Sequence, residues 1–214
     1  MSCTISLHNV GAKRGEKTLF EGANLHVGHK EKIAIIGPNG AGKTTLLEIM
    51  GGLRAPDFGH LELFHNEIKS AVDYAKYRSQ VGYLFQNSDE QFIAPSVFDD
   101  VAFGLRARGE ADVESRVNEI LKKLEISHLA SKIVFHLSGG EKKLVALAGV
   151  LVCEPKIILL DEPTTALDFA TQKRLARILG GLDVSEIIVS HDKEFIAELA
   201  QKIYYLTPSG LNLE

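Results

Sequence analysis

The residues with the clearest chemical potential form one glycine-rich run, Gly37-Pro38-Asn39-Gly40-Ala41-Gly42-Lys43-Thr44, which Thr45 follows. The run matches the pattern G-x-x-x-x-G-K-[ST], and we call residues 37–44 the phosphate loop. Because glycine has no Cβ, successive backbone N–H groups can turn toward phosphate oxygens. Lys43 would bridge the β- and γ-phosphates of a nucleotide, and the Thr44 hydroxyl would reach Mg²⁺. A turn that only caps a helix would explain the glycines but not the Lys-Thr pair.

An acidic pair, Asp161-Glu162, directly follows the apolar run at residues 156–160. Near-continuous β-branched and leucine runs are typical of strands buried on both faces, and α/β folds bind ligands at the carboxyl ends of such strands. Asp161 would hold Mg²⁺ directly or through water, and Glu162 would polarise the water that attacks the γ-phosphorus. The alternative is that the two acids only end a strand and open a turn. The phosphate loop upstream favours the catalytic interpretation.

A third motif, Leu137-Ser138-Gly139-Gly140-Glu141, precedes a long apolar helix and is called the signature motif below. Ser138 and Glu141 have the spacing of a capping box, in which each side chain binds a backbone N–H of the other residue. A cap does not need two glycines in the first turn, where each costs about 1 kcal/mol relative to alanine. Bare backbone at a helix N-terminus is useful if a phosphate must approach it.

The elements that must position these motifs alternate between short apolar strands and helices, which predicts an α/β fold with a largely parallel, mixed sheet. Predicted strands span residues 32–36, 81–85, 156–160, 186–189 and 202–206. The first thirty residues alternate apolar and polar types and predict an antiparallel layer. Helical periodicity at residues 111–124 and 140–152 predicts a helical insertion over residues 87–154. We expect one domain over residues 1–214, with its core in residues 1–86 and 155–214.

Composition excludes several classes of protein. The chain has 214 residues, 45% of them apolar, and 24 Lys and Arg against 28 Asp and Glu, which gives a net charge of −4. No broad basic face is expected, so no nucleic-acid partner is predicted. The longest nearly unbroken apolar run has ten residues (144–153), whereas a membrane span needs about 20. The N-terminus has no signal-peptide pattern, and Cys3 and Cys153 form no disulfide framework. We therefore expect a cytoplasmic chain.

The motifs together resemble the ATP-binding-cassette (ABC) family. Besides the phosphate loop, the signature motif and the acidic pair, the chain carries a glutamine loop, a D-loop and a switch histidine in the family's order. These are Tyr83-Leu84-Phe85-Gln86, Thr165-Ala166-Leu167-Asp168 and Val189-Ser190-His191-Asp192. Within the family, residues 86–91, Ala94-Pro95 and the run Ser-Gly-Gly-Glu-Lys-Lys look like ATPase subunits of energy-coupling-factor importers. Those importers take up cobalt, nickel or vitamins.

The resemblance implies a P-loop NTPase core and an ATPase that works as a head-to-tail dimer with ATP and Mg²⁺. Ser138, Gly139 and Gly140 would contact the γ-phosphate bound by the second ATPase subunit. Gln86 would contact Mg²⁺ or the attacking water, and His191 would bind the γ-phosphate. Asp168 would link the two sites. Without the resemblance, Gln86 is an ordinary polar residue after a strand, and His191 is a histidine that caps a helix.

The resemblance also implies a separate transmembrane subunit, which would place this chain on the inner face of the cell membrane. The alternatives are an ABC-type ATPase that acts on DNA or ribosomes, and a nucleotide-binding module without hydrolysis. Asp89 and Glu90 would line the groove for the membrane subunit; the simpler interpretation is that they are solvated loop charges.

Two positions depart from the family pattern. Glu141 replaces the usual glutamine of the signature motif. Arg14, four residues after Val10, stands where the family usually places an aromatic residue on the adenine. A guanidinium plane can stack on a base, and a solvated loop arginine is the equal alternative.

Overall fold

The computed structural model describes residues 3–214, and of Cys3 only the backbone. Its strands are β1 (Cys3–Arg14), β2 (Lys17–Gly28), β3 (Lys32–Ile36), β4 (Phe58–Leu63), β5 (Asn66–Ile68), β6 (Val81–Leu84), β7 (Ile157–Asp161), β8 (Ser185–Val189), β9 (Lys202–Thr207) and β10 (Gly210–Leu213). Its α-helices are α1 (Lys43–Met50), α2 (Ala71–Ala75), α3 (Val97–Ala107), α4 (Val113–Lys123), α5 (Gly139–Leu151), α6 (Phe169–Gly180) and α7 (Lys193–Leu199). Short 3₁₀ turns connect several of them.

The strands form two sheets. An antiparallel four-stranded sheet has the order β2-β1-β4-β5, and a six-stranded sheet has the order β10-β9-β3-β8-β7-β6. In the larger sheet all neighbours pair in parallel except β9 and β10. The predicted antiparallel N-terminal layer and mixed, largely parallel sheet are therefore confirmed.

The parallel sheet separates two apolar cores. Every residue of β7 and of β8 is buried, which explains the unbroken apolar runs at residues 157–160 and 187–189. Ile157 and Leu159 contact the core that α1 and the antiparallel sheet complete. Ile158 and Leu160 face the opposite core, which contains α3 to α7. The helical insertion thus shares its core with one face of the parallel sheet.

Most predicted element bounds lie within two residues of the observed ones. The first buried strand begins and ends as predicted, and the second is shifted by one residue toward the acidic pair, so that Asp161 is the last residue of β7. The helix predicted from residue 111 begins at Val113, because Gly109 and Asp112 adopt positive φ angles before it. The insertion's bounds at 87 and 154 stay a prediction. Within residues 3–214, no helix is long and apolar enough to cross a lipid bilayer.

A buried ion pair joins β3 to β8 at the start of the parallel sheet. Lys32 Nζ lies 2.9 Å from Glu186 Oε1, and the two side chains are 10% and 0% exposed. Lys32 Nζ also donates to the carbonyl of Leu179. Burial raises the pKa of Glu186 to about 7, although the Lys32 ammonium acts in the opposite direction. Keeping the Glu186 carboxylate ionised in the folded protein therefore costs free energy.

We predict that Glu186→Leu lowers the free energy of unfolding by about 3–5 kcal/mol, because it leaves the Lys32 ammonium buried without its partner. The double variant Lys32→Met/Glu186→Leu should recover most of that loss, since neither buried charge remains. Urea unfolding at pH 7.5 measures both. If the double variant is no more stable than the single one, the pair is needed for more than charge compensation.

The same pair predicts a pH dependence. Because the pKa of Glu186 is raised from 4.5 to about 7, the folded state binds more protons than the unfolded state between these values. The contribution of Glu186 to stability should be highest below pH 4.5 and should fall as the pH rises through about 7. This trend should be absent in the double variant.

Candidate functional site

Four predicted motifs follow four neighbouring strands of the parallel sheet. The phosphate loop follows β3, the switch histidine follows β8, the acidic pair ends β7 and the glutamine loop ends β6. Because parallel strands end at the same edge, these motifs meet around one cavity of about 540 Å³. Its lining consists of Arg14, Leu19, Asn39, Gly40, Gly42, Lys43, Thr44, Thr45, Gln86, Asp161, Glu162, Thr165, Val189 and His191.

The phosphate loop ends in an uncapped helix N-terminus. Gly42 precedes α1 with a φ of 98° and makes no side-chain cap, so the first N–H groups of α1 can bind an anion. A Cβ on Gly42 would lie 3.0 Å from the ring of Phe20, so the packing as well as the positive φ requires glycine. Gly37, Pro38 and Ala41 do not line the cavity.

Lys43 is held over the loop by the loop's own backbone. Its Nζ donates to the carbonyl of Gly37 at 2.8 Å and to that of Pro38 at 3.1 Å. Burial lowers the pKa of Lys43, and the nearby charges of Glu162 and Asp161 act to raise it. Gly37 and Pro38 therefore serve the site through their carbonyl groups, which position the cation that faces the cavity.

Asp161 has the properties of a ligand for a hard cation. Its side chain is 1% exposed, and its Oδ1 has no hydrogen-bond partner among the described residues. Burial raises the pKa of this carboxyl, while a hydrogen bond from the Thr44 hydroxyl lowers it. A buried carboxylate with one unpaired oxygen is costly unless a positive charge compensates it. Asp161 and Thr44 therefore fit Mg²⁺, which prefers oxygen ligands.

Glu162 and His191 lie together at the cavity wall. The N–H of His191 donates to Glu162 Oε2 at 3.3 Å, and His191 Nε2 lies 3.4 Å from Glu162 Oε1. Glu162 has a φ of 47°, a strained value for a residue other than glycine, and its N–H donates to the carbonyl of Val189 at 2.8 Å. The backbone conformation thus directs the Glu162 carboxylate into the cavity. Glu162 therefore does more than end the strand.

The other two predicted side chains line the cavity and are exposed. Arg14 is the last residue of β1, and its exposure fits both the stacking and the solvated interpretation. Gln86 follows the end of β6. Leu19, Thr165 and Val189 also line the cavity. Thr165 and Val189 belong to the D-loop and the switch-histidine motif, whereas Leu19 lies in none of the motifs found in the sequence.

Comparison with known proteins identifies the family. A family model described as ABC transporter matches residues 20–165. A Brucella suis protein named among the ABC transporter ATP-binding proteins is 41% identical over 208 residues, which cover 96% of this chain and 87% of that protein. The energy-coupling factor transporter ATP-binding protein EcfA of Methanothermobacter thermautotrophicus is 42% identical over 201 residues, 91% of this chain and 65% of EcfA. The chain belongs to the ABC transporter family.

Solved structures of ABC cassettes have the same fold. The structure of cbiO1 from Clostridium perfringens, described as part of the ABC transporter complex cbiONQ, matches with a TM-score of 0.87 and 30% identity, over 100% of this chain and 88% of that one. A dimeric post-hydrolysis structure of the cassette MJ0796, bound to ADP and Pi, matches with a TM-score of 0.90 and 28% identity, over 99% and 98% of the two chains. The family, the P-loop NTPase fold and the ATPase class are thereby confirmed.

The signature motif of this ABC cassette lies outside the cavity. Ser138, Gly139 and Gly140 begin α5, and none of them lines the cavity around the phosphate loop. The predicted capping box is present, since Ser138 Oγ accepts from the N–H of Glu141 and Glu141 Oε2 accepts from the N–H of Ser138. A Cβ on Gly139 would lie 3.2 Å from the Cβ of Ala166. Close packing on the D-loop is therefore a second reason for glycine here.

Asp168 of the D-loop is the N-cap of α6. Its carboxylate accepts from the N–H of Thr171 at 2.8 Å and from the Thr171 hydroxyl at 3.0 Å, and the backbone hydrogen bond lowers the pKa of Asp168. The link between two sites expected of Asp168 stays a prediction.

Lys143 attaches the cassette's glutamine loop to α5, a role that was not predicted, although this lysine ends the run Ser-Gly-Gly-Glu-Lys-Lys. This lysine is 3% exposed, and its Nζ donates to the carbonyls of Phe85 at 3.0 Å and Gln86 at 2.7 Å. Burial lowers the pKa of Lys143 to about 8, and the charges of Asp161 and Glu162 act to raise it. The signal in the sequence that could have indicated this role is a lysine at a position of α5 that is otherwise expected to be apolar and buried.

Three further contacts, made by Gln91 and Lys142, support the same connection. Gln91 donates to the carbonyl of Ala146 in α5 and accepts from the N–H of Phe85. Lys142 forms an ion pair with Asp89 at 2.7 Å. The segment that carries Gln86 is therefore tied to the helix that begins with the signature motif.

We predict that Lys143→Met destabilises the protein and slows ATP hydrolysis. The substitution removes the hydrogen bonds that the Lys143 ammonium donates to the carbonyls of Phe85 and Gln86, and hydrogen bonds to charged groups contribute about 1.5–3 kcal/mol. The kcat should fall more than the KM for ATP rises, because the phosphate loop is unchanged. Lys143→Arg, which keeps a cation here, should restore part of the rate. Urea unfolding and steady-state phosphate release measure these effects.

Lys142→Met is the matched control, because it removes only an ion pair whose acidic partner is half exposed. Such pairs contribute about 0–1 kcal/mol. Equal losses in the Lys142 and Lys143 variants would show that the buried ammonium has no special part in holding the glutamine loop.

Proposed function

We propose that this chain is the ATP-hydrolysing subunit of a membrane transporter and works as a head-to-tail dimer around two Mg-ATP. The α1 N-terminus and Lys43 bind and orient the triphosphate. Asp161 and Thr44 hold Mg²⁺, which when bound neutralises phosphate charge. Glu162 accepts a proton from the attacking water, and His191 binds the γ-phosphate.

The observation that carries this proposal is the arrangement of three acidic and basic groups around one cavity. Asp161 offers a buried, unpaired oxygen beside Thr44, while Glu162 is aimed into the cavity and contacts His191. A cation ligand and a proton acceptor therefore lie side by side at the phosphate end of the site. This is the division of labour that hydrolysis of a phosphoanhydride requires.

The dimer is supported by the position of the signature motif. The N-terminus of α5 is exposed and does not line the chain's own cavity, so a second subunit is needed to bring Ser138 and Gly139 to a nucleotide. The dimeric form of a structurally similar cassette supports the same arrangement. In a head-to-tail pair, each site combines the phosphate loop of one subunit with the signature motif of the other.

The membrane partner and cargo follow from the importer resemblance. Relatives named energy-coupling factor transporter ATP-binding proteins support a role in transport. The importer resemblance adds uptake of a metal ion or vitamin through a separate transmembrane subunit, at the cytoplasmic face of the membrane. Asp89 already pairs with Lys142, whereas Glu90 is exposed and accepts a hydrogen bond from Asn87. Glu90 is therefore the better placed carboxylate for an arginine of the membrane subunit.

Mixing two inactive variants tests the catalytic base and the dimer together. Glu162→Gln cannot accept the proton from water, a loss of about 100- to 10,000-fold, and Ser138→Arg obstructs the facing site. Each variant alone should therefore be nearly inactive. A mixed head-to-tail dimer has one doubly damaged site and one intact site. Random pairing should restore up to about a quarter of the wild-type rate of phosphate release.

The controls are each variant mixed with wild-type protein and each variant alone at the same total concentration. Binding of ATP by the Ser138→Arg monomer should be unchanged. If the mixture of the two variants shows only the average of their separate rates, the signature motif does not act on the partner's site.

Reversing the charge at Glu90 tests the membrane contact. Glu90→Lys should oppose the arginine expected on the membrane subunit, and mispaired interface charges cost several kcal/mol. Co-purification with the membrane subunit should fall strongly, while ATP affinity of the isolated chain stays at the wild-type value. Glu119→Lys, an exposed acid of α4, is the matched control. Normal assembly of the Glu90 variant would show that the membrane subunit docks on a different surface.

A further inference from the structure

Three potential metal ligands share the outer face of the antiparallel sheet, away from the nucleotide cavity. The register of β1 and β4 places His8 opposite His60, and the next outward residue of β4 is Glu62. Their neighbours Leu7, Leu61 and Leu63 point into the core, as the alternation of side chains along a strand requires. His8, His60 and Glu62 are therefore held on one side of the sheet by paired strands.

The ligand atoms of this cluster are close together. The rings of His8 and His60 stack with their centroids 4.7 Å apart and their planes 18° from parallel. His8 Nε2 lies 3.6 Å from Glu62 Oε2. One ligand atom from each of the three residues lies within 4.8 Å of the other two.

His8 Nε2 is shielded from solvent and, among the described residues, has no hydrogen-bond partner. Its distance to Glu62 exceeds that of a hydrogen bond. A shielded imidazole nitrogen beside a carboxylate and a second imidazole is satisfied by a cation that all three can ligate.

We propose that His8, His60 and Glu62 form a binding site for a divalent transition metal such as Zn²⁺. Imidazole nitrogens favour zinc, nickel and copper, and two imidazoles with one carboxylate leave a fourth position for water. Metal–ligand bonds of about 2.0–2.1 Å place tetrahedral ligand atoms about 3.4 Å apart. The side chains of His8 and Glu62 are 45% and 33% exposed, so they are free to make the small movement needed.

This site differs in chemistry from the candidate Mg²⁺ site. Asp161 and Thr44 offer only oxygen, which suits a hard cation, whereas the His8 cluster offers two nitrogens. Bound metal would join β1 to β4 across the sheet. It would therefore stabilise the folded chain, and the stabilisation would grow with the logarithm of the free metal concentration once the site is saturated.

The test is titration of the chelator-treated full chain with Zn²⁺ in excess Mg²⁺ and without nucleotide. Calorimetry should show one saturable Zn²⁺ site, and Zn²⁺ should raise the melting temperature. His60→Ala and Glu62→Gln should each weaken Zn²⁺ binding at least tenfold and remove the thermal shift. These are changes on an exposed sheet face, and circular dichroism checks that both variants fold.

Matched controls separate this cluster from other histidines and from the nucleotide site. His128→Ala, at an exposed position of the helical region, and Asp161→Asn should bind Zn²⁺ as the wild type does. Co²⁺ provides a second measurement, because its visible absorption reports nitrogen ligation and should be lost with His60→Ala. Zn²⁺ affinity that is unchanged in His60→Ala and Glu62→Gln, or absent in the wild type, would overturn the proposal.

Discussion

The structure depends on the parallel pairing of four neighbouring strands, β3, β8, β7 and β6. Their register aligns Ile35 with Val189, Val189 with Asp161, and Leu160 with Leu84. The chain therefore leaves the sheet four times at one edge, each time at the start of a motif. Burial of both faces fixes this register, because a slip of one residue would turn every side chain to the opposite core.

Electrostatic compensation across that edge explains why its charged residues tolerate burial. Asp161, Lys43 and Lys143 are each less than a tenth exposed. Burial acts against the charged form of all three. The charges of Asp161 and Glu162 favour both ammonium groups, and the Thr44 hydroxyl and the Lys143 charge favour the Asp161 carboxylate. Asp161 keeps one oxygen unpaired, so the compensation is incomplete without a cation. The acidic part of the site would therefore be completed by a bound cation, which the chain itself does not supply.

The same contacts connect the glutamine loop to the signature helix. Lys143 and Gln91 attach the loop after β6 to α5, and Gly139 packs on the D-loop. A displacement of Gln86 is therefore expected to act on the first turns of α5 as well. In the proposed dimer, these contacts would connect the nucleotide site to the surface that faces the second subunit.

The sequence alone determined the motifs, the buried strands, the helices with clear apolar periodicity and the ABC resemblance, because these depend on local residue patterns. Lys43, Asp161 and Glu162 could be predicted since each stands at a fixed distance from a buried strand. Only the tertiary structure decided that Lys143 holds the glutamine loop and that His8 lies opposite His60. Those contacts join residues more than fifty positions apart, so strand register and helix packing place them, and no local pattern encodes them.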